Sequence, residues 1–168
     1  MTAKELVDNT FCPYIDFKRA PERSFKNEIS QRPVPFHDEA VRLGTLTYIR
    51  EAQKSGRERV FQALKPECTD GLGDAYYDLL RKVCDDYNAE HDTDVGNWDR
   101  LVHSLRHCGN NTIRRISPDR EARFELFGHL DGSVNVETYS ERLPILRIST
   151  IVNVFPVVTA SIRPLLAR

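Results

Sequence analysis

At 168 residues and a formal net charge of −1, the chain is about one domain long and offers no global attraction for a polyanion. Its composition, 40% hydrophobic and 29% charged, excludes disordered and fibrous classes, and no run is long and apolar enough to span a bilayer. Four cysteines at 12, 68, 84 and 108 form no CxxC pair, which predicts reduced thiols in a cytoplasmic protein with no signal peptide and no membrane partner. The near-zero total leaves room for a local basic face, because acidic stretches such as DDYNAEHDTD (85–94) offset one.

The first element is PYIDF (13–17), which alternates and is rich in β-formers, so a strand is predicted. SFKN (24–27) and RPVPF (32–36) flank EISQ and predict a short hairpin with Lys26 near its turn. Pro33 and Pro35 cannot donate to a ladder, so the second arm belongs at a sheet edge. From Asp38 to Gly56 an acidic start, apolar Val41, Leu43, Leu46 and Ile49, and a glycine stop predict one helix. Residues 74–90 carry Tyr76, Leu79, Leu80, Val83, Cys84 and Tyr87 at helical spacing.

NWDRLVHSLRHC (97–108) continues as a helix whose buried side is expected through Leu101, Leu105 and Cys108, weakened beyond by Gly109, Asn110 and Asn111. SPDREARFELFG (117–128) reads as a capped helix with Ser117 as N-cap, Pro118 at the first position and Gly128 at the stop. GSVNVETYSERLP (132–144) is expected to hold Tyr139 on a short helix. The tail 145–168 is apolar, interrupted by Pro156, and needs a covering surface in cis or in trans. The sum is α+β: a small antiparallel sheet near the N-terminus, then five or six helices.

VHSLRHCGNNTIRR (102–115) crowds two histidines and three arginines into fourteen positions. His103 and Arg106 are i, i+3 and share one helix face, with His107 a turn beyond His103. Cys108 with His103 and His107 lacks a completing ligand, so no metal and no cofactor are expected. Taken singly, each residue has a plain structural reading: a helix-edge histidine, a surface lysine, a half-buried tyrosine.

Their order changes that. HSLRH, then LFGH, then ETYS, with Tyr139 ten residues after His129, resembles the C-terminal catalytic part of phage-type tyrosine recombinases (integrases). Upstream, FKNEISQRPVPFHDEAVRLG is similar to the family's hairpin segment, matching at Lys26, Ser30, Arg32, Val34, Pro35 and His37. The resemblance spans roughly residues 4–145. It implies that 1–168 is an integrase-like catalytic domain with an incomplete N-terminal part, no N-terminal DNA-clamping domain, and a C-terminal tail at 145–168.

The resemblance assigns Tyr139 as the nucleophile that keeps the cut phosphate as a 3′-phosphotyrosine, conserving the bond energy for rejoining. Arg106 would grip two non-bridging oxygens of the phosphorane-like transition state, with His103 and His129 bonding the same phosphate. Lys26 would protonate the departing 5′-oxygen. Arg32, Arg114 and Arg115 are expected along the backbone of double-stranded DNA, with Arg120 and Arg123 completing a local basic cluster. The family's tetramer on DNA implies a homo-oligomer formed through the tail. A type IB topoisomerase shares the nucleophile but not strand exchange.

One position departs from the pattern. The family's first arginine belongs three residues before a Glu-Leu pair, and Thr2 stands there before Glu5-Leu6. Lys4 cannot mimic the bidentate fork. The expectation is feeble cleavage, or a remnant that only binds DNA or protein.

Overall fold

The computed structural model describes residues 2–9, 11–18, 30–62, 72–96, 100–128 and 143–164, with backbone alone for 72–75. Within them the chain is α+β. Strands β1 (Leu6–Val7), β2 (Tyr14–Phe17) and β3 (Arg32–Pro35) form one antiparallel sheet in the order β1-β2-β3. The turn between the first two is fixed by Asn9, whose Oδ1 accepts from the backbone N–H of Phe11 at 3.0 Å and Cys12 at 2.6 Å. Among the described residues β3 lies at the edge of the sheet, the place its prolines suit, with Pro33 opposite Asp16 and Pro35 opposite Tyr14. The predicted first arm at 24–27, including Lys26, lies outside the described residues.

The single helix expected over 38–56 is two: α1 (Asp38–Arg42) and α2 (Thr45–Lys54). Gly44 breaks the run with φ 99°, a left-handed conformation that glycine adopts without a side-chain penalty. His37 caps α1, its Nδ1 accepting from the Glu39 N–H at 2.9 Å. Beyond lie α3 (Leu72–His91), α4 (Leu101–Ile116), α5 (Arg120–Phe127) and α6 (Ile145–Val152).

The chain falls into two compact units, residues 1–60 with 110–168 and residues 61–109. The first holds two apolar clusters. Ala3, Leu6, Ile15, Leu46, Ile49, Ala52 and Val60 join the sheet to α2. Ile113, Ala122, Leu126, Ile148 and Ile151 join the end of α4, α5 and α6, with Val34 of β3 against them.

In the second unit, α3 carries a loop held by one side chain. Asn88 Oδ1 accepts from the Val95 N–H at 2.7 Å and the Thr93 hydroxyl at 2.9 Å, while its Nδ2 donates to the Val95 carbonyl at 2.9 Å. The loop closes at Gly96 (φ 78°), where a Cβ would meet Cys84 Sγ at 2.7 Å, so glycine is required twice over.

Two expectations about burial and capping are corrected. Leu101 is buried, but Leu105 and Cys108 are exposed. The helix buries Leu101 at its start and Ile113 near its end, about a third of a turn apart around the axis, so no single stripe serves both. The N-cap of α5 is Asp119, which accepts from the Ala122 N–H at 3.1 Å, while Ser117 Oγ accepts from the Asp119 N–H outside the helix. Asp119 itself has ψ 84°, outside the helical range, so the helix begins at Arg120, two residues later than predicted. Gly128 ends the helix in the left-handed region with φ 61°, as expected.

Part of the described tail, residues 145–164, packs on its own chain. α6 buries Ile148 and Ile151, and the segment after it is strapped to α1. The Asp38 N–H donates to Asn153 Oδ1 at 2.8 Å, His37 Nε2 bonds the Phe155 carbonyl at 3.1 Å, and Arg42 Nη2 donates to the carbonyls of Thr159 and Ile162. Glu39 is the hub, accepting two bonds from Arg42 and one from the Thr159 hydroxyl, all at 2.6 Å. The Arg42 guanidinium, then the Thr159 hydroxyl, holds its carboxyl down from the ordinary 4.5 to about 2.

A depressed carboxylate stabilises the fold above its ordinary range and ceases to do so as pH falls through its folded value. Asp119 adds to this with the same sign, lowered first by Arg147 at 2.8 Å and also by the Ala122 N–H. Replacing Glu39 by Gln is therefore expected to lower Tm at pH 7, with the gap to the parent closing between pH 4.5 and about 2. Thermal melts across that range check it. A gap that stays constant with pH would show that the strap gains nothing from the charge.

Candidate functional site

Of the residues the sequence singles out, Lys26, His129 and Tyr139 lie outside the described residues. His103 and Arg106 lie on α4 in the second unit, on one face as their spacing requires, the histidine exposed and the arginine half-buried. His107 completes the group. Its Nε2 stands 2.9 Å from His103 Nε2, with the ring centroids 4.4 Å apart and the planes at 86°. A bond between two such nitrogens needs a proton on one and a lone pair on the other.

The arginines divide into two kinds. Arg114 and Arg115, at the end of α4, are exposed. Arg32 is engaged in the fold, its Nε donating to the Leu126 carbonyl at 2.9 Å and its Nη1 to that of Ser30 at 3.1 Å. It ties β3 to the last turn of α5, just ahead of Gly128.

Arg123 leaves the expected basic cluster. It is 8% exposed, and its Nη1 donates to Asn110 Oδ1 at 2.9 Å while its guanidinium lies 4.9 Å from the Phe124 ring centroid. That bond gives Asn110 a task inside a helix it would otherwise weaken, and α4 continues unbroken to Ile116. Arg120, exposed, covers the same ring at 4.9 Å.

Thr2, in the place of the resembled family's first arginine, donates its N–H to Glu5 Oε2 at 2.8 Å. It also forms an isolated antiparallel bridge with Arg59. Paired residues of such a bridge start their side chains on the same side about 5 Å apart, so the side chain of the half-buried Arg59 leaves the backbone beside that of Thr2. No spacing in the sequence signals this pairing, because it joins segments 57 positions apart.

Glu125 Oε2 accepts from the Leu143 N–H at 2.9 Å, which ties the last turn of α5 to the residues just before α6.

No family model, curated protein or solved structure matches the chain. Among the described residues no helix is long and apolar enough to cross a membrane, and no group of three or more His, Cys, Asp or Glu could hold a metal ion.

Proposed function

We propose that the chain is the catalytic domain of a site-specific tyrosine recombinase, breaking and rejoining DNA in the integration or excision of a mobile element. The single observation that carries this reading is the ordered set Lys26, His103, Arg106, His129 and Tyr139, held in two separate segments of sequence. The shared face of His103 and Arg106 on α4 is compatible with two donors to one phosphate. In this reading Tyr139 attacks the phosphorus and the 5′-oxygen leaves with a proton from Lys26. Arg106, His103 and His129 neutralise the charge gathering on the non-bridging oxygens. Arg114 and Arg115 track the DNA backbone, making binding strongly salt-dependent.

Thr2 favours a second reading, a remnant that binds DNA or an intact integrase without cutting. A missing fork removes much of the guanidinium stabilisation, and Arg59, whose backbone pairs with Thr2, is the candidate replacement.

A nicked suicide substrate separates the two. At high protein concentration the parent is expected to form a covalent protein–DNA adduct that is lost in Tyr139→Phe. An adduct unaffected by that substitution, or none at all, would end the recombinase reading for this chain. Relaxation of supercoils without strand exchange would point instead to topoisomerase activity.

A further inference from the structure

We infer that His103 and His107 form a two-point chelate for a transition-metal dication of the nickel, copper or zinc kind. The observation is their geometry. The residues are i, i+4 on α4, both rings are exposed, and the two Nε2 atoms already stand 2.9 Å apart. A metal about 2.0–2.1 Å from each imidazole nitrogen, with an angle between right and tetrahedral, requires the nitrogens about 2.8–3.4 Å apart. The observed separation falls in that window. The rings now meet edge to face, so both must rotate for their lone pairs to point outward at one centre. As the metal enters, the ring that donated through Nε2 gives up that proton and takes one at Nδ1, so both imidazoles stay neutral and each turns an Nε2 lone pair to the metal.

The surroundings define which ion this pair takes. Two neutral nitrogens and no carboxylate suit borderline-soft metals and offer little to magnesium or calcium, which demand oxygen donors. Cys108, though exposed, lies about 100° around the helix from His107 and does not join the pair. No third His, Cys, Asp or Glu completes the site among the described residues, so water fills the remaining positions and binding is reversible. On the reading proposed above, His103 cannot serve a phosphate and a metal at once, which makes such an ion a competitor of DNA rather than a cofactor. The chelate itself does not depend on that reading.

Calorimetric titration of the full chain with Ni²⁺ tests it, with Mg²⁺ as the control. The parent should bind one Ni²⁺, and His103→Ala and His107→Ala should each weaken that binding by about ten-fold or more. Cys108→Ser should leave it unchanged, and Mg²⁺ should give no comparable binding. Excess Ni²⁺ should also raise the Tm of the parent and not that of His107→Ala, because the metal binds only where the helix is formed. Ni²⁺ affinity retained in either histidine variant, or lost in Cys108→Ser, overturns the proposal.

Discussion

Replacing Arg106 by Ala should slow trapping of the nicked substrate by about 10²–10³-fold, the loss typical of one donor aimed at developing charge. Arg106→Lys should recover little of it. A lysine supplies a point charge, whereas the planar fork meets two phosphate oxygens at once and holds them in register. Arg114→Ala serves as the comparison: Arg114 is exposed, and the proposed reading gives it a contact to the DNA backbone, which would contribute to affinity rather than to the chemical step. Its effect should appear as weaker binding with a shallower salt dependence, and should disappear at saturating DNA. Single-turnover adduct formation at saturating DNA distinguishes these. Equal losses in Arg106→Ala and Arg114→Ala under that condition would remove Arg106 from the chemistry.

Truncating Ile148 to Ala should cost about 2–5 kcal/mol of stability, the range for deleting a fully buried branched side chain. Ile148 is 0% exposed and packs among Ile113, Ala122, Leu126 and Ile151. On the same helix Leu146 is 57% exposed, and its truncation should stay within about 0.5 kcal/mol. The contrast, read from urea unfolding of the two variants, tests whether α6 is part of the core of its own unit. Similar small effects at both positions would mean that the helix is seated elsewhere.

Much of this architecture was legible because the deciding constraint was local. Two prolines three positions and one position before the end of RPVPF set an edge strand, since neither carries a donor. Gly128 set the end of α5 through its conformational freedom. What was not legible depended on partners distant in sequence. The run from Val41 to Ile49 keeps a helical period across Gly44, and only the structure shows that the backbone turns there. Ser117 and Asp119 are equally good caps on paper. The period through Leu101, Leu105 and Cys108 announces a helix without saying which residues it buries, because α4 covers one residue in each unit.

The candidate site divides the same way. The shared face of His103 and Arg106 follows from their spacing alone, since helical geometry requires it. That Arg123 is buried on Asn110, that Arg32 is spent on carbonyls, and that Arg59 pairs with Thr2 are tertiary facts. An arginine in a sequence says nothing of whether its guanidinium faces solvent or a neighbouring backbone.

Among the described residues, the strap over α1 is gripped through the main-chain oxygens of Phe155, Thr159 and Ile162 and through the side chains of Asn153 and Thr159. Its course is thus written in α1 rather than in the strap. The outward residues Val157 and Val158 are free to drift through many identities while the path of the backbone stays the same. His37 and Arg42 have no such latitude.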